Sequence, residues 1–363
     1  MSSSPRSRVT RLVEEVEYPS GVDIRIEFTR QVDQIDGEMS RVLDERGGHA
    51  RGLYEMLAYH LGLDAVDGTR GKRLRPLLGL LAYHSLTGNY DAALPGAAAV
   101  ELGHNFSLVH DDIEDADRER RHRPTLWAIW GIPLAINAGD ALFALSRLAL
   151  YRLLDDGFSE KRVLELMRVY DETCLALCEG QYLDITFERQ EDVTVDAYLA
   201  MIGKKTAALL GASVQAGAIL ATDDAEVVEA YRHFGYDLGM AFQMADDVKG
   251  TFWASAETGK PEAGDVRRRK KTLPLVWALE HAADADRARL REIYAHGGPN
   301  DDAMSDELVG DVLAILERCG ARDHALSEAR RYRDVAIAQL EELPCPPDRK
   351  GDLAAFVRSV IAA

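Results

Sequence analysis

Residues 102–117 read Leu102-Gly103-His104-Asn105-Phe106-Ser107-Leu108-Val109-His110-Asp111-Asp112-Ile113-Glu114-Asp115-Ala116-Asp117. An apolar, helix-like run thus ends in a cluster of carboxylates. Burying a carboxylate costs free energy unless something pairs with it. A second apolar run far along the chain ends the same way, at Asp246-Asp247-Val248-Lys249-Gly250. Two hydrophobic stretches that both close on carboxylates point to a cavity that holds cations. If both clusters line one cavity, they can hold several divalent metals, and the metals can hold a diphosphate.

The spacing within the first cluster sharpens this. Residues four apart share a helix face, so Asp111 and Asp115 project together, while Asp112 lies about 100° away. Two carboxylates on one face suit magnesium, which takes few protein ligands, keeps waters and accepts phosphate oxygens. An acidic run is more often a solvated helix end. Here it emerges from Leu102, Phe106, Leu108 and Val109 and is followed at once by Arg118, Arg120, Arg121 and Arg123. Acid followed closely by base fits metal plus phosphate better than a bland surface.

Outward from this stretch, helical periodicity dominates. Leu53, Met56, Leu57, His60 and Leu61 keep a three-and-four spacing, as do Leu145, Leu148, Ala149 and Leu153. Turn signals at Thr87-Gly88-Asn89, Gly131-Ile132-Pro133, Asp155-Asp156-Gly157 and Pro344–Pro347 separate intervals suited to helices of roughly 12 to 25 residues. The one clean strand-like alternation is Val22–Phe28. Polar, charged Ser255–Lys271 reads as a loop over something. The expected fold is all-α: a single-domain helical bundle over 46–363, preceded by a disordered tail (1–20) and an N-terminal arm (21–45).

With 363 residues, 47% of them hydrophobic, the chain can bury a large core. Its net charge of −18 argues against a nucleic-acid surface. It does not exclude an anionic substrate, because bound metals and local basic clusters reverse the field inside a pocket. The four cysteines show neither zinc spacing nor a disulfide framework, which suits a reducing cytoplasm. Cys174 and Cys178 read as core. No apolar run reaches the roughly 20 residues of a membrane span, and the N-terminus lacks a signal-peptide core.

At this point the residues match a known family. From about residue 45 onward the chain resembles the trans-isoprenyl diphosphate synthases, or polyprenyl synthetases. Asp111-Asp112-Ile113-Glu114-Asp115 stands as their first aspartate motif, followed by Arg120-Arg121-His122-Arg123-Pro124-Thr125. Gly71-Lys72-Arg73-Leu74-Arg75-Pro76 and Glu101-Leu102-Gly103-His104 lie upstream. Gly180-Gln181-Tyr182-Leu183-Asp184, Lys204-Lys205-Thr206, Phe242-Gln243-Met244-Ala245-Asp246-Asp247, Gly259-Lys260-Pro261 and Lys271-Thr272-Leu273-Pro274 complete the series in order. Any one is weak; the ordered set is specific.

The resemblance implies an isoprenoid-synthase-type bundle around a central cavity, usually a homodimer. It implies a Mg²⁺-dependent prenyltransferase that joins isopentenyl diphosphate to allylic diphosphates, with about three Mg²⁺ ions when diphosphate is bound. By the same resemblance Asp111, Asp115 and Asp246 would hold metal, with Asp112 and Asp247 nearby. Arg120, Lys205 and Lys260 would grip the allylic diphosphate. Lys72, Arg75, His104 and Arg121 would grip isopentenyl diphosphate, where the planar guanidinium fork suits phosphate oxygens. Thr206 and Gln243 would set oxygen dipoles beside the allylic cation. Read without the resemblance, His104 is an ordinary core histidine and Lys72 and Arg75 are helix-start charges. Of the basic run Arg267–Lys271, Lys271 is the residue placed over phosphates.

Two departures stand out. Gly250 occupies the position of the second motif's third aspartate, on the face of Asp246, and His122 replaces a glycine. The same fold and metal chemistry serve class I terpene cyclases, and a non-catalytic subunit of a heteromeric synthase is a further alternative. The intact clamp and intact first cluster argue against both. Phe106 lies five residues before Asp111, roughly 7.5 Å along a helix, and Ser107 beside it is small. By resemblance this pair sets chain length and suits the C20 product, geranylgeranyl diphosphate, with C15 farnesyl diphosphate second.

Overall fold

The computed structural model describes residues 28–46, 48–64, 70–253, 263–295 and 304–362. Among them the architecture is helical, as the periodicity predicts. α1 (Thr29–Asp44), α2 (Arg51–Leu61) and α3 (Leu74–Thr87) lead into α4 (Leu94–Glu114), the helix that carries the first aspartate cluster. A short hairpin, β1 (Glu119–Arg120) and β2 (Arg123–Pro124), precedes α5 (Leu126–Trp130), α6 (Ile132–Asp155) and α7 (Glu160–Phe187). α8 (Val195–Ile202) runs through a π-helical turn (Gly203–Ala207) into α9 (Ala208–Ala221), followed by α10 (Ala225–Phe252), which carries the second cluster. The chain continues through α11 (Gly264–Arg267), α12 (Leu273–His281), α13 (Asp284–Ala295), α14 (Asp306–Arg318), α15 (Ala321–Glu342) and α16 (Lys350–Ala362).

The helix ends carry residues whose backbone or side chain suits the position, Gly88 of the predicted turn at 87–89 among them. Gly88 caps α3 at φ 75° and Gly62 caps α2 at φ 71°, conformations that cost an L side chain energy. Ser159, Thr194, Asp224 and Ser305 cap the starts of α7, α8, α10 and α14, each side chain accepting a backbone N–H of the first turn. α4 packs along α6, and α9 lies between α3 and α10, so both carboxylate-bearing helices border one hydrophobic core.

Of the Val22–Phe28 alternation only Phe28 is among the described residues, where it is a buried turn residue. Among the described residues the strands are β1 and β2, and the Arg121 and His122 between them both adopt positive φ (53° and 61°). A tight two-residue hairpin demands that conformation, and glycine or asparagine normally supplies it. The N-terminal arm is also more than an arm: α1 buries Val32, Ile35, Met39 and Val42 in the main core.

α6 is 24 residues long and is the one described helix with the length and composition of a membrane span. One face, with Ala135, Leu142 and Leu145, is buried. The other exposes Ile132, Leu148 and Tyr151.

Candidate active site

A cavity of about 390 Å³ is bordered by several of the motifs. Asp111, Lys205 and Thr206 line it together with Arg75, His104 and Phe106. Six sequence-predicted residues from four separate motifs therefore meet in one place.

The clamp is built on Arg73, which sits at φ 52° with its side chain buried. Its Nε donates to Asp36 Oδ1 at 2.8 Å, Nη1 to Glu101 Oε1 at 2.9 Å and Nη2 to the Leu61 carbonyl at 2.5 Å. These bonds pin the Gly71–Pro76 segment to α1, α2 and α4. Lys72 on one side of Arg73 is exposed; Arg75 on the other points inward. Arg75 Nη1 donates to His104 Nε2 at 3.1 Å. Burial, then the Arg75 and Arg121 charges, hold His104 well below the ordinary imidazole range, so its ring nitrogen is free to accept.

Arg121 reaches this point because Gly71 has no side chain: a Cβ there would lie 3.0 Å from the Arg121 Cζ. Burial lowers Arg75 to about 10 and also lowers Arg121. Among the described residues the buried Arg75 Nε and Arg121 Nη1 have no hydrogen-bond partner. Unsatisfied buried guanidinium donors are costly, and their convergence is the chemistry of an anion site. His60, which the sequence reading treats only as part of a helix face, adjoins this cluster; burial and then Arg121 push it to about 3.

The aspartates of the first cluster face different surroundings: Asp111 lines the cavity and Asp115 does not. Asp111 faces the cavity, and burial raises it to about 7 despite the nearby Lys205. Asp112 turns instead to the hairpin and accepts from Arg120 Nε at 2.6 Å. Asp115 caps α4 and lies 3.6 Å from Lys270 Nζ. Glu114 accepts from Gln181 Nε2 at 2.7 Å and adds a carboxylate to the lining.

The second cluster is tied to the first through the π-helical turn. A Cβ at Gly180 would lie 2.4 Å from the Lys205 nitrogen, so the glycine lets α7 touch that turn. Lys205 then pairs with Asp184 on α7. Burial opposes the Lys205 charge, but Asp184 and Asp111 outweigh it and raise its pKa. Next to it, Thr206 Oγ1 donates to Gln243 Oε1 at 2.8 Å, and Gln243 Nε2 donates to Asp247 Oδ1 at 2.9 Å. Asp247 is buried and also accepts from the Tyr198 hydroxyl and the Leu273 N–H. It anchors Gln243 from behind. Asp246 lies on the side of Lys249 and Lys72. Single-turn π-helices recur at functional sites because they re-aim side chains, which is what Gly203–Ala207 does for Lys205 and Thr206.

Three readings of the sequence need adjusting. Lys271 is buried over the Tyr294 ring, 5.2 Å from its centroid, while Lys270 faces Asp115. Cys178 is exposed at the cavity wall; of the two cysteines on α7, only Cys174 is core. Asp184, quoted only as part of a motif, is the partner of Lys205. Lys260 lies outside the described residues. Among the described residues, the non-glycine positions with positive φ (Arg73, Ala116, Arg121, His122, Ala263 and Arg269) all adjoin these segments. Strain of this kind costs of order 1–3 kcal/mol per residue and gathers where structure serves a site.

Phe106 is one of the residues that line the cavity. Its ring packs edge-on against Phe143 at 5.2 Å between centroids, so a second aromatic stands behind it. Ser107 turns its hydroxyl back to the His104 carbonyl.

Comparison with known proteins agrees with this assembly. A family model described as Polyprenyl synthetase matches residues 56–312. The chain is 39% identical over 311 residues to a (2E,6E)-farnesyl diphosphate synthase of Mycobacterium tuberculosis, covering 83% of this chain and 84% of that protein. It is 38% identical over 301 residues to a geranylgeranyl diphosphate synthase of the same species, covering 82% and 83%. The crystal structure of geranylgeranyl pyrophosphate synthetase from Pyrococcus horikoshii superimposes with a TM-score of 0.83 at 32% identity, covering 93% of this chain and 98% of that one.

Proposed function

From the premise that the chain belongs to the polyprenyl synthetase family and is a short-chain trans-prenyltransferase, we propose that it condenses isopentenyl diphosphate with allylic diphosphates to give geranylgeranyl diphosphate, using Mg²⁺. The observation that carries this reading is the meeting of Asp111 and Lys205 with Arg75 and His104 around one cavity, with the Arg121 charge close behind them. A carboxylate wall and a metal-free cationic clamp are what two diphosphates in one reaction require.

The residues present fit Mg²⁺. Asp111 is a buried oxygen donor whose charge Lys205 does not fully compensate, and hard oxygen donors suit this ion. Among the described residues no three His, Cys, Asp or Glu side chains form a ready-made metal group. Asp111, Asp115 and Asp246 would therefore share their ions with diphosphate and water. When bound, Mg²⁺ supplies neutralisation of the charge that develops on the leaving diphosphate.

The protein's own part is binding and orientation. Lys205 and Arg120 flank the first cluster and direct positive charge at the allylic diphosphate; Lys260 is assigned with them from the motif alone. Arg75, Arg121 and His104 hold isopentenyl diphosphate with Lys72, so that its double bond faces the allylic carbon. Such placement contributes because it is made before the reaction begins. The Thr206 and Gln243 oxygens, fixed by Asp247, face the developing allylic cation. The released diphosphate takes the proton, so no side-chain base is assigned.

The intact clamp favours condensation over a class I terpene cyclase, which has no second diphosphate to hold. We also assign a homodimer, formed through the exposed apolar residues of α5–α7 such as Ile132, Leu148, Tyr151, Leu164 and Leu175, and a cytoplasmic location that suits four free thiols.

One sample tests these assignments together. Purified protein with Mg²⁺, isopentenyl diphosphate and C5, C10 or C15 allylic diphosphate should give mainly C20 product. A chelator should abolish turnover, and sedimentation should show a dimer. Hydrolysis or cyclisation without chain extension would reverse the reaction assignment. Turnover unaffected by chelator would remove the metal, an inactive chain would mark a subunit, and a monomer would remove the dimer.

Phe106→Ala opens the cavity towards Phe143 and should shift products to longer chains. An unchanged product distribution would mean that Phe106 is only packing.

A further inference from the structure

Two adjacent residues in the last turn of α2 meet the 119–124 hairpin, and they meet it differently. Tyr59 holds its flank: the hydroxyl donates to the Pro124 carbonyl at 3.0 Å, and Arg123 lies over the ring, 3.7 Å from its centroid. His60 borders a small cavity of about 20 Å³ that Asp112, Arg120 and Arg121 also line. No step of the condensation uses this histidine.

Its neighbours fix the state of its ring. Burial, then Arg121 and Arg120, push His60 down to about 3, so the ring is neutral near neutral pH. The Asn105 backbone works the other way, which directs a ring N–H at that carbonyl. Among the described residues the buried Nε2 has no hydrogen-bond partner, so the N–H is on Nδ1 and Nε2 carries a lone pair. Arg121, across the same cavity, holds a buried donor, Nη1, likewise without a partner among the described residues. Two residues that border one small space thus hold an unpaired acceptor and an unpaired donor, and leaving both unmade costs free energy.

The ring itself does not suit the substrate. A lone pair repels phosphate oxygens, which are acceptors as well. A guanidinium suits it: five N–H groups lie in one plane, so a neighbour that takes one of them leaves the others in a fixed fork.

We infer that His60 is a positioning residue for isopentenyl diphosphate: its Nε2 accepts an N–H of Arg121 when the diphosphate binds, and this turns the remaining N–H edge of the guanidinium towards the phosphate oxygens. The inference rests on the assignment of Arg121 to isopentenyl diphosphate and says what holds that arginine in place.

Steady-state kinetics of the full-length protein with Mg²⁺, both substrates varied in turn, test it. His60→Leu should raise KM for isopentenyl diphosphate by about 10-fold, the scale of one hydrogen bond to a charged group, and leave KM for the allylic diphosphate unchanged. His60→Gln should recover most of the loss, because its amide oxygen reaches the place of Nε2; His60→Asn should not, because its amide ends at the place of Nδ1. In an Arg121→Met background His60→Leu should add nothing, since the two residues act as one unit. Melting curves separate binding from folding, and His60→Leu should melt no lower than the unaltered chain. Equal rises in both KM values, rescue by asparagine but not glutamine, or additive losses in the double variant would overturn the role of His60. An Arg121→Met variant with normal KM for isopentenyl diphosphate would overturn the assignment of Arg121 and this inference with it. An effect of Arg121→Met with none of His60→Leu would overturn this inference alone.

Discussion

Asp111→Asn is expected to lower kcat by about 10²–10³-fold, the scale seen when one preorganised electrostatic contact to a reacting group is lost, while leaving the ligand-free fold at least as stable. Both parts follow from one observation. Asp111 faces the cavity, and burial raises it to about 7 even though Lys205 works in the opposite direction. A group so displaced is ionised at a cost that the ligand-free protein bears. Asparagine keeps the shape and removes the charge, so the melting temperature should hold or rise. The metal–diphosphate assembly loses an anionic ligand, so turnover should fall. Stability and activity then move in opposite directions, as they do where a site is held in a state the fold alone disfavours. Parallel assays of turnover and thermal unfolding read the two effects. A variant within a few-fold of normal turnover would remove Asp111 from the reaction, and a matching loss of stability would mark it as structural.

Arg73→Met is expected to have the opposite profile, with a loss of about 3–5 kcal/mol of stability, the cost of leaving buried charges without their partner. Arg73 is 1% exposed and its partners Asp36 and Glu101 are 6% and 2% exposed, so solvent cannot replace the guanidinium. Methionine fills much of the volume but strands both carboxylates and the Leu61 carbonyl. Arg70 also reaches Asp36 and provides partial compensation at the rim. The clamp should loosen with the fold, because Lys72 and Arg75 flank the pinned residue, so isopentenyl diphosphate should bind more weakly at temperatures where the variant remains folded. Chemical denaturation with a binding titration measures both. A loss below about 1 kcal/mol, the scale of an exposed ion pair, would show that the network is not the anchor described.

How much of this was readable beforehand depends on whether a feature is local or made through space. The helices were legible because three-and-four spacing of apolar residues and terminal glycines or hydroxyls act within a few residues of one another. That Asp112 turns away from Asp111, by about 100° on a helix, was legible for the same reason. The hairpin at 119–124 was not, since Arg121 and His122 carry none of the usual chemistry for positive φ; the docking of its flanks decides their conformation. Arg123 pairs with Asp64 and covers the Tyr59 ring, and Thr125 and Trp127 bond to the Asp117 carbonyl. Lys270 and Lys271 are adjacent in a basic run, and only the packing of Tyr294 under one of them decides which turns to Asp115.

Glycines mark the same boundary. Gly71, Gly180 and Gly250 read as turns or as gaps in a motif, but each proves to be a place where a group from elsewhere comes close: Arg121, the Lys205 backbone and Asp265. The chain alone determined an all-helical bundle, two carboxylate-ended helices and the residue types of a prenyl diphosphate chemistry, because periodicity, capping and motif order are properties of neighbours along the backbone. Tertiary structure alone decided which charges are paired and which are held uncomfortably in the cavity. Those outcomes depend on burial and on contacts of a few ångströms between segments that the sequence keeps far apart.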